Sequence, residues 1–477
     1  MLQTLYKPNQ RKTPIFGAII SSFLALLGLS NSILAKSPPP TKGSYQPKSS
    51  YPSDLTNING TLYFSANHPQ TGRELWKSNG TSRGTSLVKD IYPGVASSSP
   101  TTLTSIRNTL FFSANSPHLG IELWTSQGTP ETTNIVTDIN LGWESSFPYE
   151  LLKVQNWLYF TALQPQVGTE LWQTDSTPVG TTLIKDIFPG TIGSIPQFLT
   201  KTKTGVFFTS ETPEAGRELW KTDGSKSGTV LVKDISPGIE SSDPFYLTAV
   251  GNQLYFKART PENGEELWRS DGTLKGTKLV KDINLGIDDA LILFLTNVNG
   301  RLFFSAYQPK SGIELWKSDG TSQGTVIVKD IFPAEEWSNP SNLININGTL
   351  FFTARHPSQG TELWKTDGTP EGTVIVKDIN LGEADAYPER LVNVNGVLYF
   401  TATTPETGRE LWKSDGTSQG TVLVKDINPG SKDTEFDELT GVKDILFFTA
   451  YTPDSGDELW RSNGTMMGTF LVKDIYR

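Results

Sequence analysis

A chain of 477 residues with 36% apolar side chains, 43 glycines and no cysteine can bury a large core, but it can form neither disulfides nor a cysteine-ligated metal site. Its 41 basic and 50 acidic residues leave a net charge of −9, which argues against a nucleic-acid binder that tracks phosphates with a basic face. Three histidines, His68, His118 and His356, leave little for imidazole acid–base chemistry or histidine-ligated metals.

At the start of the chain, Lys7, Arg11 and Lys12 precede an apolar stretch from Pro14 to Ala35 that contains no acidic residue. This is the layout of a secretory signal peptide over residues 1–35, with Ile33 and Ala35 at the −3 and −1 positions of a cleavage site. Its Ser, Gly and Asn interruptions favour removal over a permanent membrane span. A secreted, periplasmic or cell-surface location is therefore expected. Residues 36–50, rich in Pro, Ser and Lys without an apolar period, read as a flexible linker.

From there on the chain is one unit repeated. Trp76, Trp124, Trp172, Trp220, Trp268, Trp316, Trp364, Trp412 and Trp460 follow one another at intervals of 48 residues with no insertion or deletion. Such a period means a supersecondary unit that buries its faces only against its neighbours. In one unit, four β-type runs stand out at Leu343–Ile346, Thr349–Ala354, Glu362–Thr366 and Val374–Ile379. Asn347-Gly348 joins the first two, as do Asn59-Gly60, Asn299-Gly300 and Asn395-Gly396, because both residues of a tight hairpin turn tolerate positive φ. The same Asn-Gly-Thr triplets are turns before they are glycosylation sites.

Third and fourth strands can be registered by chemistry. Trp316 opposite Ile327, Glu314 opposite Lys329 and Ser318 opposite Thr325 would satisfy every side chain at once. The intervening Asp-Gly-Thr-x-x-Gly is then the turn, its Asp capping backbone N–H groups and its glycines taking positive φ.

Four-stranded units at this period predict an all-β protein, a β-propeller of nine four-stranded blades over residues 51–477. An eight-blade ring with one extra unit, or an open solenoid, is the alternative, since propellers usually have about 4–8 blades. The first unit begins with its first strand, near Leu55, and the last ends with its fourth, near Ile475, so no strand is left to mix the termini in one blade.

The recurring motif from Glu314 to Thr321, Glu-Leu-Trp-x-Ser/Thr-Asp-Gly-Thr, resembles the ELWxxDGT repeat of large bacterial secreted or surface proteins and covers all nine units. The resemblance implies an exported, propeller-like repeat protein and little about chemistry. Departures at Asn79, Gln127, Asn463, Ser176 and Thr132 predict looser turns in the second and third blades.

Candidate sites fall on the end that carries the inter-unit loops and the second-to-third strand loops, such as residues 355–360, because these vary most. The inter-unit loops hold Glu144, Glu240, Asp243, Asp288, Asp289, Glu335, Glu336, Glu383, Asp385, Asp433 and Glu435 against one base, Lys432. This is a solvated acidic rim, or a site for Ca²⁺ or a basic partner, with Asp288, Asp289, Glu335 and Glu336 as the local clusters, although neither has the spacing of a calcium loop. Beside them lie aromatics that depart from the repeat: Trp143, Phe147, Tyr149, Phe245, Tyr246, Trp337, Tyr387 and Phe436. Trp143, Trp337, Tyr246 and Tyr387 are the candidates for ligand stacking, against the plainer reading that these rings cover blade ends. The repeating tryptophans pack between blades. The Asp after each Val-Lys, such as Asp90 or Asp234, caps the turn that follows, or pairs with Arg73 or Arg217 respectively. His68 and His356, six units apart, share no metal.

No Ser-His-Asp set, P-loop or HExxH motif is present, and no catalytic residue is assigned. The functional expectation is an exported, monomeric binding module for a glycan or protein partner through the inter-unit loop face. The alternatives are a carbohydrate-active hydrolase using paired carboxylates and an envelope or matrix scaffold.

Overall fold

The computed structural model describes residues 49–333 and 336–477, so the signal segment and most of the linker lie outside the described residues. Nine four-stranded sheets follow in chain order, each an antiparallel meander. In the sixth, the strands are Leu293–Val298, Arg301–Gln308, Gly312–Ser318 and Val326–Lys329. The first strands of successive blades touch all the way round, and the first strand of the ninth blade, Phe436–Val442, touches that of the first, Ser53–Ile58. The nine blades thus close into a single propeller with the first strands innermost. The eight-blade and solenoid alternatives are excluded.

Alternation along each strand creates two apolar faces, and each blade presses one of them on the opposite face of the next. Phe303, Leu315, Val328 and Ile331 of the sixth blade pack on Leu350, Phe352, Ala354 and Trp364 of the seventh. The repeating tryptophans are therefore core residues, and truncating one to Ala would cost about 3–5 kcal/mol. Lysine completes most junctions. Lys281 lies 5.5 Å over the ring of Trp316 and donates to the Thr325 carbonyl, tying the fifth blade to the sixth.

The seam uses the same contacts. Val442, Phe447, Leu459 and Val472 of the ninth blade pack on Leu62, Phe64 and Trp76 of the first. Lys473 donates to the Thr85 carbonyl at 3.0 Å. No strand is exchanged. The residues before the first strand close the ring instead: Ser49 and Ser50 are buried, and Ser50 fills the ninth blade's loop position. These two residues belong to the propeller, which corrects their assignment to a linker.

The Asn-Gly hairpins form as the sequence predicts, with φ of 51° at Asn299 and 83° at Gly300. Two of the three expected pairs between the third and fourth strands form. Trp316 opposes Ile327, and the Ser318 and Thr325 hydroxyls meet at 2.8 Å. A β-bulge then intervenes, so Leu315, not Glu314, opposes Lys329. The reason lies in the loop. Glu314 turns inward to accept hydrogen bonds from the N–H groups of Ile331 and Ser338 and from the Ser338 hydroxyl, while Lys329 reaches the Thr373 carbonyl of the next blade.

The turn aspartates cap as predicted, Asp319 accepting from the Thr321 N–H and hydroxyl, both at 2.8 Å. Gly320 is left-handed at φ 89°. Gly324 is not left-handed; a Cβ there would lie 2.1 Å from the Asp319 carboxylate, so this glycine makes room for the cap. That explains the second blade, where Gln127 and Thr132 replace Asp and Gly together. The Thr132 hydroxyl accepts from the Gln127 and Thr129 N–H groups, standing in for the missing carboxylate. In the third blade Asp175 caps Thr177, with Ser176 left-handed at φ 84°. Both turns keep their caps, which corrects the expectation of looser turns.

Candidate binding surfaces of the propeller

Most inter-blade loops are pinned at two points. The Asp after the fourth strand caps the turn, as Asp90 does by accepting from the Gly94 N–H at 3.2 Å. The alternative pairing with Arg is not formed: Arg73 donates to the Tyr51 carbonyl and Ser53 hydroxyl, and Arg217 to the Ile195 carbonyl. The second pin is the buried Glu before each repeating Trp. Glu74 gathers the N–H groups of Ile91, Tyr92 and Ser98 and the Ser98 hydroxyl. Burial pushes its carboxyl up to about 7, against the pull of those donors. Glu266 and Glu362 are pushed up to about 8 by the same cause.

With both ends held, the middle of the loop is forced outward. Val95, Trp143, Ile239 and Ile287 occupy the same loop position in four junctions and are 78%, 77%, 75% and 74% exposed. Leu141, Leu285 and Leu381, two positions earlier in their loops, are equally bare. Acids sit among these studs: Glu144, Glu240, Asp288 and Glu383. The loop end of the disc is thus studded with apolar side chains in an acidic setting, of which the sequence marks out the acids and the aromatics but not the aliphatic studs.

Further inward, in eight of the nine blades, two positions take left-handed backbone with side chains that are not glycine. Just before the first strand these are Tyr51, Ser99, Phe147, Ile195, Asp243, Leu291, Asn339 and Tyr387. In the strand's opening bulge they are Asp54, Thr102, Glu150, Phe198, Tyr246, Phe294, Asn342 and Arg390. Each such residue carries about 1–3 kcal/mol of strain, which the ring holds in place. The second set varies freely in chemistry while its neighbours repeat, and that variability was the available signal.

Part of this inner set, with Glu438 at the ninth blade's equivalent position, joins blades. Glu438 accepts from the Asp54 and Leu55 N–H groups, Asp54 from Thr102 N–H, and Glu150 from Leu199 N–H. Burial raises the pKa of all three carboxyls. On another arc the inner residues are aromatic: Phe198 and Phe245 lie 4.2 Å apart, and Tyr246 meets Phe245 edge-on at 4.8 Å with Lys257 5.5 Å over its ring.

The sequence-predicted stacking residues do not converge. Trp143 lies between the second and third blades, Trp337 between the sixth and seventh, Tyr387 between the seventh and eighth, and Tyr246 in the fifth blade's innermost strand. Trp337 packs edge-on against Tyr307 at 6.1 Å. Tyr387 is half exposed, and its hydroxyl, hydrogen-bonded to Asp385, has its pKa raised by that carboxylate and by burial.

Among the described residues, Asp288 and Asp289 do not form a cation cage. The Asp289 carboxylate is taken by the Glu265 N–H at 2.9 Å and by Arg259 at 2.5 Å. Asp288 and Glu336 are exposed, and Glu335 lies outside the described residues. Among the described residues, no three acidic or histidine side chains gather as metal ligands. His68 and His356 lie beside the tryptophans of their own blades, at 5.9 and 6.0 Å.

The chain matches no protein-family model and no curated protein by sequence. Among solved structures it is similar to one of a pair of prolyl endopeptidases, at 12% identity and TM-score 0.41, over 85% of this chain and 55% of that one. A puromycin-hydrolyzing peptidase of Mycobacterium tuberculosis gives 13% identity and TM-score 0.39, over 74% of this chain and 58% of the other. The β-propeller domain of the Trilobed protease from Pyrococcus furiosus gives 11% identity and TM-score 0.39, over 90% of this chain and 100% of that domain. The chain therefore spans little more than half the length of the two peptidases, and no activity is carried over from them.

Proposed function

We propose that this protein is an exported interaction module that docks a protein partner on its inter-blade loop face. The observation that carries the reading is the set of apolar studs, Val95, Trp143, Ile239 and Ile287, about three-quarters exposed on loops whose ends are rigidly held. Exposed apolar groups repeated on one face and rimmed by polar residues mark protein interaction surfaces. The acids among them favour a partner with basic groups at its rim. Export rests on the N-terminal layout and on the resemblance to ELWxxDGT proteins.

A protein is favoured over a glycan on this face because Trp143, Trp337 and Tyr387 stand on three separate loops, and a sugar needs its stacking and hydrogen-bonding groups in one groove. Binding is favoured over hydrolysis because Asp54, Glu150 and Glu438 already hold backbone N–H groups. The test is site-specific photo-crosslinking in the source cells, with the probe at position 239 on the loop face or at position 274 on the opposite face. A discrete crosslinked partner from position 239 alone, lost when Val95, Trp143 and Ile287 become Ser, is expected. Crosslinks only from position 274 would overturn the assignment of the face.

A further inference from the structure

The opposite end of the disc, built from the hairpins and Asp-Gly-Thr turns, repeats so closely that the sequence gives it no site. Yet a cavity of about 440 Å³ lies there, between the third and fourth blades. The equivalent groove between the seventh and eighth blades is only about 150 Å³. The first value falls in the range of small-molecule sites and the second does not.

Departures from the repeat account for the difference. At most junctions a basic residue after the repeating Trp crosses to the next blade's turn: Lys77 donates to the Gly128 carbonyl at 2.7 Å, Lys317 to Gly368 at 2.7 Å and Lys365 to Gly416 at 2.8 Å. In the third blade this residue is Gln173, whose amide oxygen stands 3.3 Å from where a Cβ of Gly224 would lie but which fills less volume than lysine and brings no amine. Thr125 in the second blade also lacks the amine, but there Ser176 replaces the turn glycine and adds a side chain. Trp157 opens the third blade's second strand where other blades carry smaller or flexible residues, and it remains 36% exposed at the cavity. The fourth blade also lacks the Asn-Gly hairpin, its first two strands being joined through Thr202 to Gly205.

What lines the cavity is chemically coherent. Trp157 offers an indole, and Tyr159 brings its hydroxyl close enough to Gly224 that a Cβ there would stand 2.1 Å from it. Gln155, Gln173, Asp223 and Ser225 supply amide, carboxylate and hydroxyl groups. Asp223 is already held in place, accepting from the Ser225 N–H and hydroxyl through one oxygen. No cationic side chain lines the cavity. An aromatic platform beside planar acceptors and donors suits a ring with apolar C–H faces and equatorial hydroxyls. The absent cation argues against a carboxylated or sulfated ligand.

We infer that the groove between the third and fourth blades is a binding site for a neutral saccharide, which stacks on Trp157 and is hydrogen-bonded by Gln155, Gln173 and Asp223. The site is on the other end of the disc from the proposed protein-docking face and does not depend on it.

The test is calorimetric titration of the folded protein with cellotriose, maltotriose and tri-N-acetylchitotriose, each up to millimolar concentration. At least one should bind saturably. Trp157→Ala should weaken that binding at least tenfold. Gln173→Lys should do the same while leaving the thermal midpoint unchanged or raised, because it restores the lysine bridge to the Gly224 carbonyl. Leu274→Ala, an exposed change on the same end, should bind as the parent does. Failure of all three sugars to bind, or equal binding by the parent and the Trp157 and Gln173 variants, overturns the inference. Loss of sugar binding in Gln173→Lys with crosslinking at position 239 intact separates this site from the loop-face reading.

Discussion

Ser50 donates its hydroxyl to Glu458 at 2.6 Å and its N–H to the same carboxylate at 3.1 Å across 408 residues of chain. Within the ring, Ser338 does the same for Glu314, at 2.7 and 3.3 Å. The seam is thus chemically an ordinary junction whose loop is supplied by the other end of the chain. At a pH well above 7, where Glu458 and Glu314 are ionised, Ser50→Ala should cost about 1.5–3 kcal/mol, the range for a hydrogen bond to a charged group, and so should Ser338→Ala. The two should differ in where the loss is felt. Hydrogen exchange should rise in both blades of the seam for Ser50→Ala and stay local for Ser338→Ala. Identical exchange maps would show that the N-terminal segment is not the closing element.

The buried glutamates set a pH dependence with a definite sign. Their folded pKa values are raised, from 4.5 to about 7 at Glu74, Glu122, Glu218, Glu314, Glu410 and Glu458, chiefly by burial. The folded chain therefore binds more protons than the unfolded one between these values, and the stabilisation present below pH 4.5 is lost as pH rises through about 7. Calorimetric midpoints should fall from pH 5 to pH 8.5 by several degrees. The turn aspartates, such as Asp319 and Asp367, have lowered values because Thr side chains and N–H groups donate to them, so they act in the opposite sense, only below pH 3.8. A midpoint that rises steadily to pH 8.5 would contradict the glutamate assignment.

The second blade's turn should behave as a coupled pair. Gln127→Asp alone brings a carboxylate against the Cβ of Thr132, and Thr132→Gly alone removes the acceptor for two exposed N–H groups, so each should destabilise by about 0.5–1.5 kcal/mol. The double substitution rebuilds the Asp–Gly arrangement and should recover most of the loss. A double-mutant cycle by urea unfolding measures the coupling, and simple additivity would rule out the exchange of caps.

Thr137 stands where eight other blades place Lys at the end of the fourth strand. Each such lysine whose ring contact is described lies 5.3–5.9 Å over the next blade's Trp. Thr137→Lys should place an amine over Trp172 beside the Thr181 carbonyl and stabilise by about 0.5–1 kcal/mol, read as an upward shift of the urea midpoint. An unchanged or lower midpoint would show that this junction cannot seat the lysine.

Much of the architecture is written locally. The 48-residue length of the unit, the positive-φ hairpin at Asn299-Gly300, the Asp319 cap and the pairing of Trp316 with Ile327 each depend on residues within one unit, so spacing and side-chain chemistry define them. Eight identical intervals also give the junctions a common plan, which is why the tryptophans could be assigned to packing between blades. Where a feature depended on a neighbouring blade, the sequence was silent or misleading. Opposite charge pointed Glu314 at Lys329, but each had a better partner: the desolvated N–H groups of its own loop for Glu314, and a carbonyl on the next blade for Lys329. Closure by Ser50 could not be read from a Pro- and Ser-rich segment, because its partner is Glu458 near the other end of the chain. The cavity beside Trp157 arises from what Gln173 fails to fill, and an unfilled volume exists only once the third and fourth blades stand side by side. Short-range chemistry specifies the blade. Contacts between residues one or more units apart decide how the ring is closed and where it is left open.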